Sequence, residues 1–357
     1  MPEFIPGLEL SLRFYHEAVR PILEARFPGL RYAAARIGPG SEVLGFDTPM
    51  STDHDWGPAV SIFLRDEDAD LAPAIDAALA QGLPQTFAGY PVLVEPGTDA
   101  PGAEPAPRHR AVPETLRAFV RRHLAHELGA PLTPADWLTI PSQKLRELTA
   151  GAVHHDDVGE LTALRERLAF YPHDIWLYLL AGGWNRIGQE EHLMGRAGYV
   201  GDELGSALIG ARLARDVMSL CFLMERQYAP YPKWFGAAFQ RLCCAVDMAP
   251  ALWQAQRAAT WREREAALCA AYERLAAMHN ALGITPPVPA TASPFFNRPF
   301  QVIWGGQVAG AIRKEIADPE VRRIAARPLI GGIDQWSDST DLRSDPAWRA
   351  ALRRLYE

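Results

Sequence analysis

The spacing of apolar residues changes character once along this chain, at Pro113, and that change divides what the two parts can become. Ahead of it, Leu8–Phe27 carries Leu12, Tyr15, Val19, Ile22, Leu23 and Phe27 near the i, i+3/i+4, i+7 spacing of a helix, and Pro28-Gly29 ends it. Short β-like runs follow at 31–37, 42–46 and 59–64, then an alanine-rich helical stretch at 70–81 closed by Gly82, then a strand pattern at 87–95. Beyond Pro113 the period is 3.6 almost throughout, predicting helices at 114–128, 134–148, 157–169, 174–189, 202–227, 234–246, 250–282 and 302–316. No repeat of fixed period is present. The pattern predicts an α+β chain: a small mixed-sheet domain over residues 1–130 and a large helical domain over 131–357, with a ligand cleft between them.

A length of 357 residues accommodates two full cores. The 36 Lys+Arg stand against 43 Asp+Glu, a formal charge of −7. That balance argues against a non-specific nucleic-acid binder, which needs surplus cations, but leaves room for a local basic pocket. The longest apolar stretches, such as Ile175–Gly183, fall short of the ~20 residues of a membrane span. The opening MPEFIPGLEL has acid where a signal peptide carries positive charge, so a cytoplasmic location is expected. Cys221, Cys243, Cys244 and Cys269 form no C-x-x-C pair and read as core filler in a reducing compartment. Residues 96–108, PGTDAPGAEPAPR, lack bulky apolar side chains and read as a flexible connection.

The residues richest in chemistry run from Gly40-Ser41 to Asp53-His54-Asp55, just before the apolar strand 59–64. A Gly-Ser turn offers backbone N–H groups and a hydroxyl to an anion. If the following segment is extended, Asp53 and Asp55 project to one face and converge. Paired carboxylates beside a phosphate-binding turn suit Mg²⁺ or Mn²⁺, which takes oxygen ligands and shares them with substrate phosphates. That combination points to transfer at a nucleoside triphosphate. Asp, Gly and Ser are also ordinary turn residues, which is the competing explanation.

Gly40-Ser41 followed by Asp-x-Asp at a strand start resembles the signature of the polymerase-β-like nucleotidyltransferase superfamily. Four further segments, STDHDWG at 51–57, FYPHDIW at 170–176, YAPYPKW at 228–234 and IGGIDQWSDS at 330–339, are similar to the bacterial domain-of-unknown-function 4037 group, which brings no known substrate. The resemblance implies a nucleotidyltransferase-like N-terminal domain in which Gly40 and Ser41 cradle the β,γ-phosphates and Asp53 and Asp55 hold the metal ions. It also implies a third carboxylate on a later strand. Glu95, ending FAGYPVLVE, is the candidate. The run Arg108–Val112 is the other natural place and offers His109 and Arg110 in place of an acid.

The expected activity is Mg²⁺-dependent transfer of a nucleoside monophosphate from ATP or another NTP to a hydroxyl of a small-molecule acceptor. The alternatives are a nucleotide-binding or regulatory protein of the same fold without turnover, and a transferase acting on tRNA or protein. Lys233, opening a helix after a Pro-rich turn, and Arg196, with Arg212 and Arg215 nearby in sequence, are candidate triphosphate contacts. Glu190, Glu191 and Asp202 are candidate general bases. His154-His155-Asp156-Asp157 reads as a turn ending in an Asp helix cap, and Asp334, Asp338 and Asp341 as turn or helix caps.

Overall fold

The N-terminal helix forms where the apolar spacing predicts, in three pieces: Gly7–Phe14, a π-helical turn Tyr15–Val19, and Arg20–Arg26. Pro21 explains the middle piece, since its missing N–H cannot close a bond back to Glu17. Leu10, Phe14, Tyr15, Val19 and Leu23 are the buried face. The computed structural model describes residues 3–53, 56–94 and 107–357. They fall into two units, one of Met1–Pro131 with Lys144–Ala169 and one of Leu132–Gln143 with Phe170–Glu357. The expected division at 130/131 thus misses a return: Lys144–Ala169 fall in the same unit as the sheet.

The first unit is built on strands β1 (Tyr32–Arg36), β2 (Ala59–Leu64), β3 (Thr86–Phe87), β4 (Tyr90–Pro91), β5 (Leu93–Val94), β6 (Arg108–Thr115) and β7 (Ala152–Asp156). Five of them form a mixed sheet in the order β5-β6-β2-β1-β7. β1 runs antiparallel to β2 and β7, whereas β2 and β6 are parallel with Ala59 opposite Arg110. β2 is apolar at nearly every position because it is central and covered on both faces. On one face Tyr32, Ala34, Val60, Ile62, Leu64 and Ala111 join Leu10, Phe14, Val19, Leu23, Ile75 and Leu79 in one core. On the other, Phe63 meets Phe119 edge-to-face at 5.2 Å.

Four local expectations change. Residues 42–46 are a turn and not a strand, closed by Gly45 N–H to Glu42 O at 3.0 Å and Phe46 N–H to Ser41 O at 2.9 Å. The pattern at 87–95 breaks at Ala88-Gly89, both with positive φ (49° and 83°), which reverses the chain between β3 and β4. β6 continues through Pro113 to Thr115, whose hydroxyl caps the helix Leu116–Leu124 by accepting from Ala118 N–H at 3.1 Å. The run His154–Asp157 is no simple turn either: β7 carries its first three residues along β1. Asp156 does cap, accepting from Gly159 N–H at 2.8 Å and Thr162 N–H at 2.9 Å.

The second unit is helical, led by His173–Tyr199, Glu203–Met224, Ala245–Arg257, Trp261–Leu282 and Gly305–Glu315. A Cβ on Gly188 would lie 2.3 Å from Gly306 N, so only glycine lets the helices His173–Tyr199 and Gly305–Glu315 approach this closely. Among the described residues no helix is long and apolar enough to cross a membrane. Glu191, one turn on, spends its carboxylate on the start of Gly305–Glu315, accepting from Ile303 N–H at 2.7 Å and Gly305 N–H at 3.1 Å. Burial pushes its carboxyl up to about 7, against the pull of the backbone N–H groups of Ile303, Gly305 and Trp304. A folded-state pKa above the unfolded one makes proton uptake stabilising. That contribution is complete below the ordinary value of 4.5 and is lost as pH rises through about 7. The stability of the parent protein minus that of Glu191→Gln should therefore rise as pH falls from about 7 to about 4.5. Urea titrations of the pair across this range measure it; a flat difference contradicts it.

Candidate functional site

The strand registers bring the Gly40-Ser41 turn and the starts of β2 and β6 to one end of the sheet. β1 leaves the sheet at Arg36, and the chain turns through Gly38 (φ +92°) and Gly40 (φ +147°) into Ser41. The antiparallel register puts Ala35 opposite Ser61, so this turn lies at the end where β2 begins. The parallel register brings the start of β6 to the same end. A Cβ on Gly40 would lie 2.7 Å from both Glu42 carboxylate oxygens and 2.8 Å from an Arg36 guanidinium nitrogen, so the Arg36–Glu42 pair would have to shift. Glu42, 3 % exposed, accepts from Arg36 Nε at 3.0 Å and is ion-paired with that guanidinium. This acid is thus used to hold the turn. Gly151, with φ +70°, donates to Val43 O at 3.0 Å and packs so near Arg36 O that a Cβ would sit 2.1 Å away.

Asp53 does not lie in an extended segment as the Asp-x-Asp argument expects. It ends the 3₁₀ turn Pro49–Asp53 and is exposed. His54 and Asp55 lie outside the described residues. Trp56, the next described residue, is firmly held. Its Nε1–H donates to Asp47 Oδ2 at 3.2 Å, and the same oxygen accepts from Gly7 N–H at 2.7 Å. Its ring stacks on Phe4 at 5.6 Å and meets Tyr90 edge-on at 4.9 Å. Ser11 secures the first residue of β2, donating to Ala59 O at 2.6 Å, and lies 2.9 Å from His154 Nε2. Burial pushes His154 down to about 4, so it serves as a neutral imidazole near pH 7. Sequence spacing carries no sign of this support, because Ser11 and His154 are 143 positions apart.

The third carboxylate is not on β6 at this end. Arg108, His109 and Arg110 stand there, and His109 Nε2 is 3.2 Å from Asp76 O. Glu114, opposite Phe63 at the far end, is held bidentately by Arg122 at 2.6 and 2.9 Å. Glu95 lies outside the described residues; Val94, just before it, pairs with Arg108. Among the described residues no group of three or more His, Cys, Asp or Glu could hold a metal ion. Asp53 supplies a hard oxygen donor suited to Mg²⁺, and the other two proposed carboxylates belong to segments not described.

The remaining candidates belong to the second unit and mostly have structural duties. Lys233 sits in the first turn of Pro232–Phe239 with Nζ 5.0 Å from the Trp234 ring centre. Arg196 is exposed on His173–Tyr199. Arg212 pairs with Glu190 at 2.9 Å, Glu191 caps as described, and Asp202 caps its helix by accepting from Gly205 N–H at 2.7 Å. Asp334 accepts from Ser142 N–H at 2.7 Å and pairs with Arg343, while Asp338 pairs with Arg215. Cys221 is buried, Cys244 and Cys269 half-buried, and Cys243 exposed, so core filler does not describe all four.

Residues 137–235 match the family model described as Domain of unknown function (DUF4037). A crystal structure of a nucleotidyltransferase-like protein from Exiguobacterium sibiricum 255-15 is similar over 74 % of this chain and 75 % of that one, at 11 % sequence identity and a TM-score of 0.32. No curated protein matches the chain.

Proposed function

We propose that the first unit binds a nucleoside triphosphate at the end of the sheet marked by Gly40 and Ser41, and transfers its nucleoside monophosphate to a hydroxyl of a small molecule. One observation supports this reading: the strand registers bring the Gly40-Ser41 turn and the starts of β2 and β6 to one end of the sheet. Backbone N–H groups of the turn and the Ser41 hydroxyl would hold the triphosphate. Asp53 and Asp55 would hold Mg²⁺ or Mn²⁺, which supplies charge neutralisation on the phosphates when bound. Arg108 and Arg110 add positive charge at the same end. The acceptor oxygen forms its bond to the α-phosphorus, the bond from that phosphorus to the pyrophosphate oxygen breaks, and the hydroxyl proton passes to a base. Glu95 is the proposed third carboxylate. A small-molecule acceptor, and not RNA, accords with the charge of −7.

A second reading, a nucleotide-binding protein of the same fold without turnover, draws on the Arg108-His109-Arg110 run where β6 would otherwise offer an acid. The separating experiment incubates the protein with each α-labelled NTP, Mg²⁺ and a metabolite extract. Label passing to a small molecule, and lost in Asp53→Asn, is the expected result. NTP binding without any transfer selects the second reading, and absence of NTP binding removes both.

A further inference from the structure

Three of the four segments grouped by resemblance in the sequence have no part in the first unit's chemistry, and they meet elsewhere. Tyr171 from FYPHDIW, Tyr228 and Pro230 from YAPYPKW, and Ile333 and Asp334 from IGGIDQW line one cavity of about 200 Å³ inside the second unit. A dry apolar cavity of about 150 Å³ already admits benzene, so the space here fits one ring and a short substituent.

The lining states the chemistry of the occupant. Five rings face the space: Trp137, Tyr171, Phe222, Tyr228 and Phe235. They brace one another, with Tyr171 and Tyr228 edge-to-face at 5.0 Å and Phe222 and Phe235 tilted at 5.3 Å. Several polar groups of the wall are already paired inside the protein. Ser142 Oγ–H donates to Ala229 O at 2.8 Å, Gln335 Nε2–H to Leu179 O at 2.9 Å, and Gly332 N–H to Gln335 Oε1 at 2.9 Å. The charges of the lining residues themselves do not balance. Two guanidiniums, Arg215 and Arg343, line the cavity against the single carboxylate of Asp334. Both Asp334 oxygens are engaged, one by Ser142 N–H and one by Arg343. Arg343 keeps a buried Nε–H with no acceptor. Among the described residues Arg215 pairs with Asp338, which is 71 % exposed and so well screened. Burial and the nearby Asp334 charge keep the Tyr171 phenol protonated, a further donor.

We propose that this cavity is a binding site for a small aromatic carboxylate: one planar ring held among the five aromatic side chains, and one anionic group met by Arg215 and Arg343. The aromatic walls select a π face and the surplus positive charge selects an anion. The site uses no nucleotide and no metal, so its test is independent of the transferase reading.

The full-length protein is titrated with phenylacetate, cyclohexylacetate and 2-phenylethanol, by calorimetry and ligand-observed NMR. Phenylacetate is expected to bind about tenfold or more tighter than cyclohexylacetate, which lacks the ring face, and than 2-phenylethanol, which lacks the charge. Arg215→Gln, at a half-exposed position, should weaken phenylacetate about tenfold while leaving the melting temperature unchanged. Ser219→Phe, which fills the cavity, should abolish binding; should it fail to fold, Arg215→Gln decides alone. No binding of phenylacetate, equal binding of all three probes, or undiminished binding to Arg215→Gln overturns the proposal.

Discussion

Replacing Asp53 and Asp55 together by Asn should abolish the part of NTP binding that depends on Mg²⁺ or Mn²⁺, with a loss of roughly 100-fold or more in metal-linked affinity. Asn keeps the size of Asp but loses the charge, and a hard divalent cation depends on that charge. Removing even a group that only orients a ligand costs about 10–100-fold in metal affinity, so removing two ligands sets a lower bound. Asp53 is exposed at the end of its 3₁₀ turn, so its replacement carries little folding cost. Calorimetry with and without Mg²⁺ measures the effect, and unchanged metal-linked binding in the double variant removes the assignment. Glu95→Gln refines it. That variant should lose transfer yet keep most nucleotide affinity, because Gly40 and Ser41 are the residues proposed to hold the triphosphate.

The largest stability effect is expected at Asp136, in the second unit. Its carboxylate is 2 % exposed and serves two masters. Oδ2 accepts from Thr133 N–H at 2.9 Å and Thr133 Oγ1–H at 2.7 Å, starting the helix Pro134–Thr139 with a capping box. Oδ1 accepts from Arg349 at 2.9 Å and lies 3.3 Å from Arg353. Burial works to raise the Asp136 pKa, but the Thr133 hydrogen bonds and the two guanidiniums outweigh it and hold it below the usual range. A depressed folded-state pKa means this stability is present above the ordinary value of 3.8 and is lost as pH falls through the folded one. Asp136→Asn leaves Arg349, itself 5 % exposed, as a buried charge without its carboxylate. Stranding one member of a buried pair costs about 3–5 kcal/mol. The double variant Asp136→Asn/Arg349→Met should be less destabilised than Asp136→Asn alone, since the stranded charge is gone. Urea denaturation of the three proteins tests both statements, and a loss under about 1 kcal/mol in the single variant contradicts the first.

Much of this protein is local physics and was legible without coordinates. The N-terminal helix followed from apolar spacing, β2 from an apolar run short enough to be a strand buried on both faces, and the helical second half from a sustained 3.6 period. Asp202 as a helix start and Gly40-Ser41 as a turn also followed, because caps and turns involve groups only a few residues apart. Other features required partners distant in sequence. β7 is a strand only because β1 offers it an edge about 120 residues earlier in the chain, a pairing no local window contains. Glu42 read as part of a strand, yet it is the buried partner of Arg36, and Asp53 sits on a 3₁₀ turn set between the anchored Asp47 and Trp56. The cavity is the fullest case. Ser142 and Asp334, 192 positions apart, are joined by one hydrogen bond in its wall. Periodicity and capping sum interactions over a few residues and so are written in the sequence, whereas strand edges, buried ion pairs and cavities exist only once separate segments exclude water from between them.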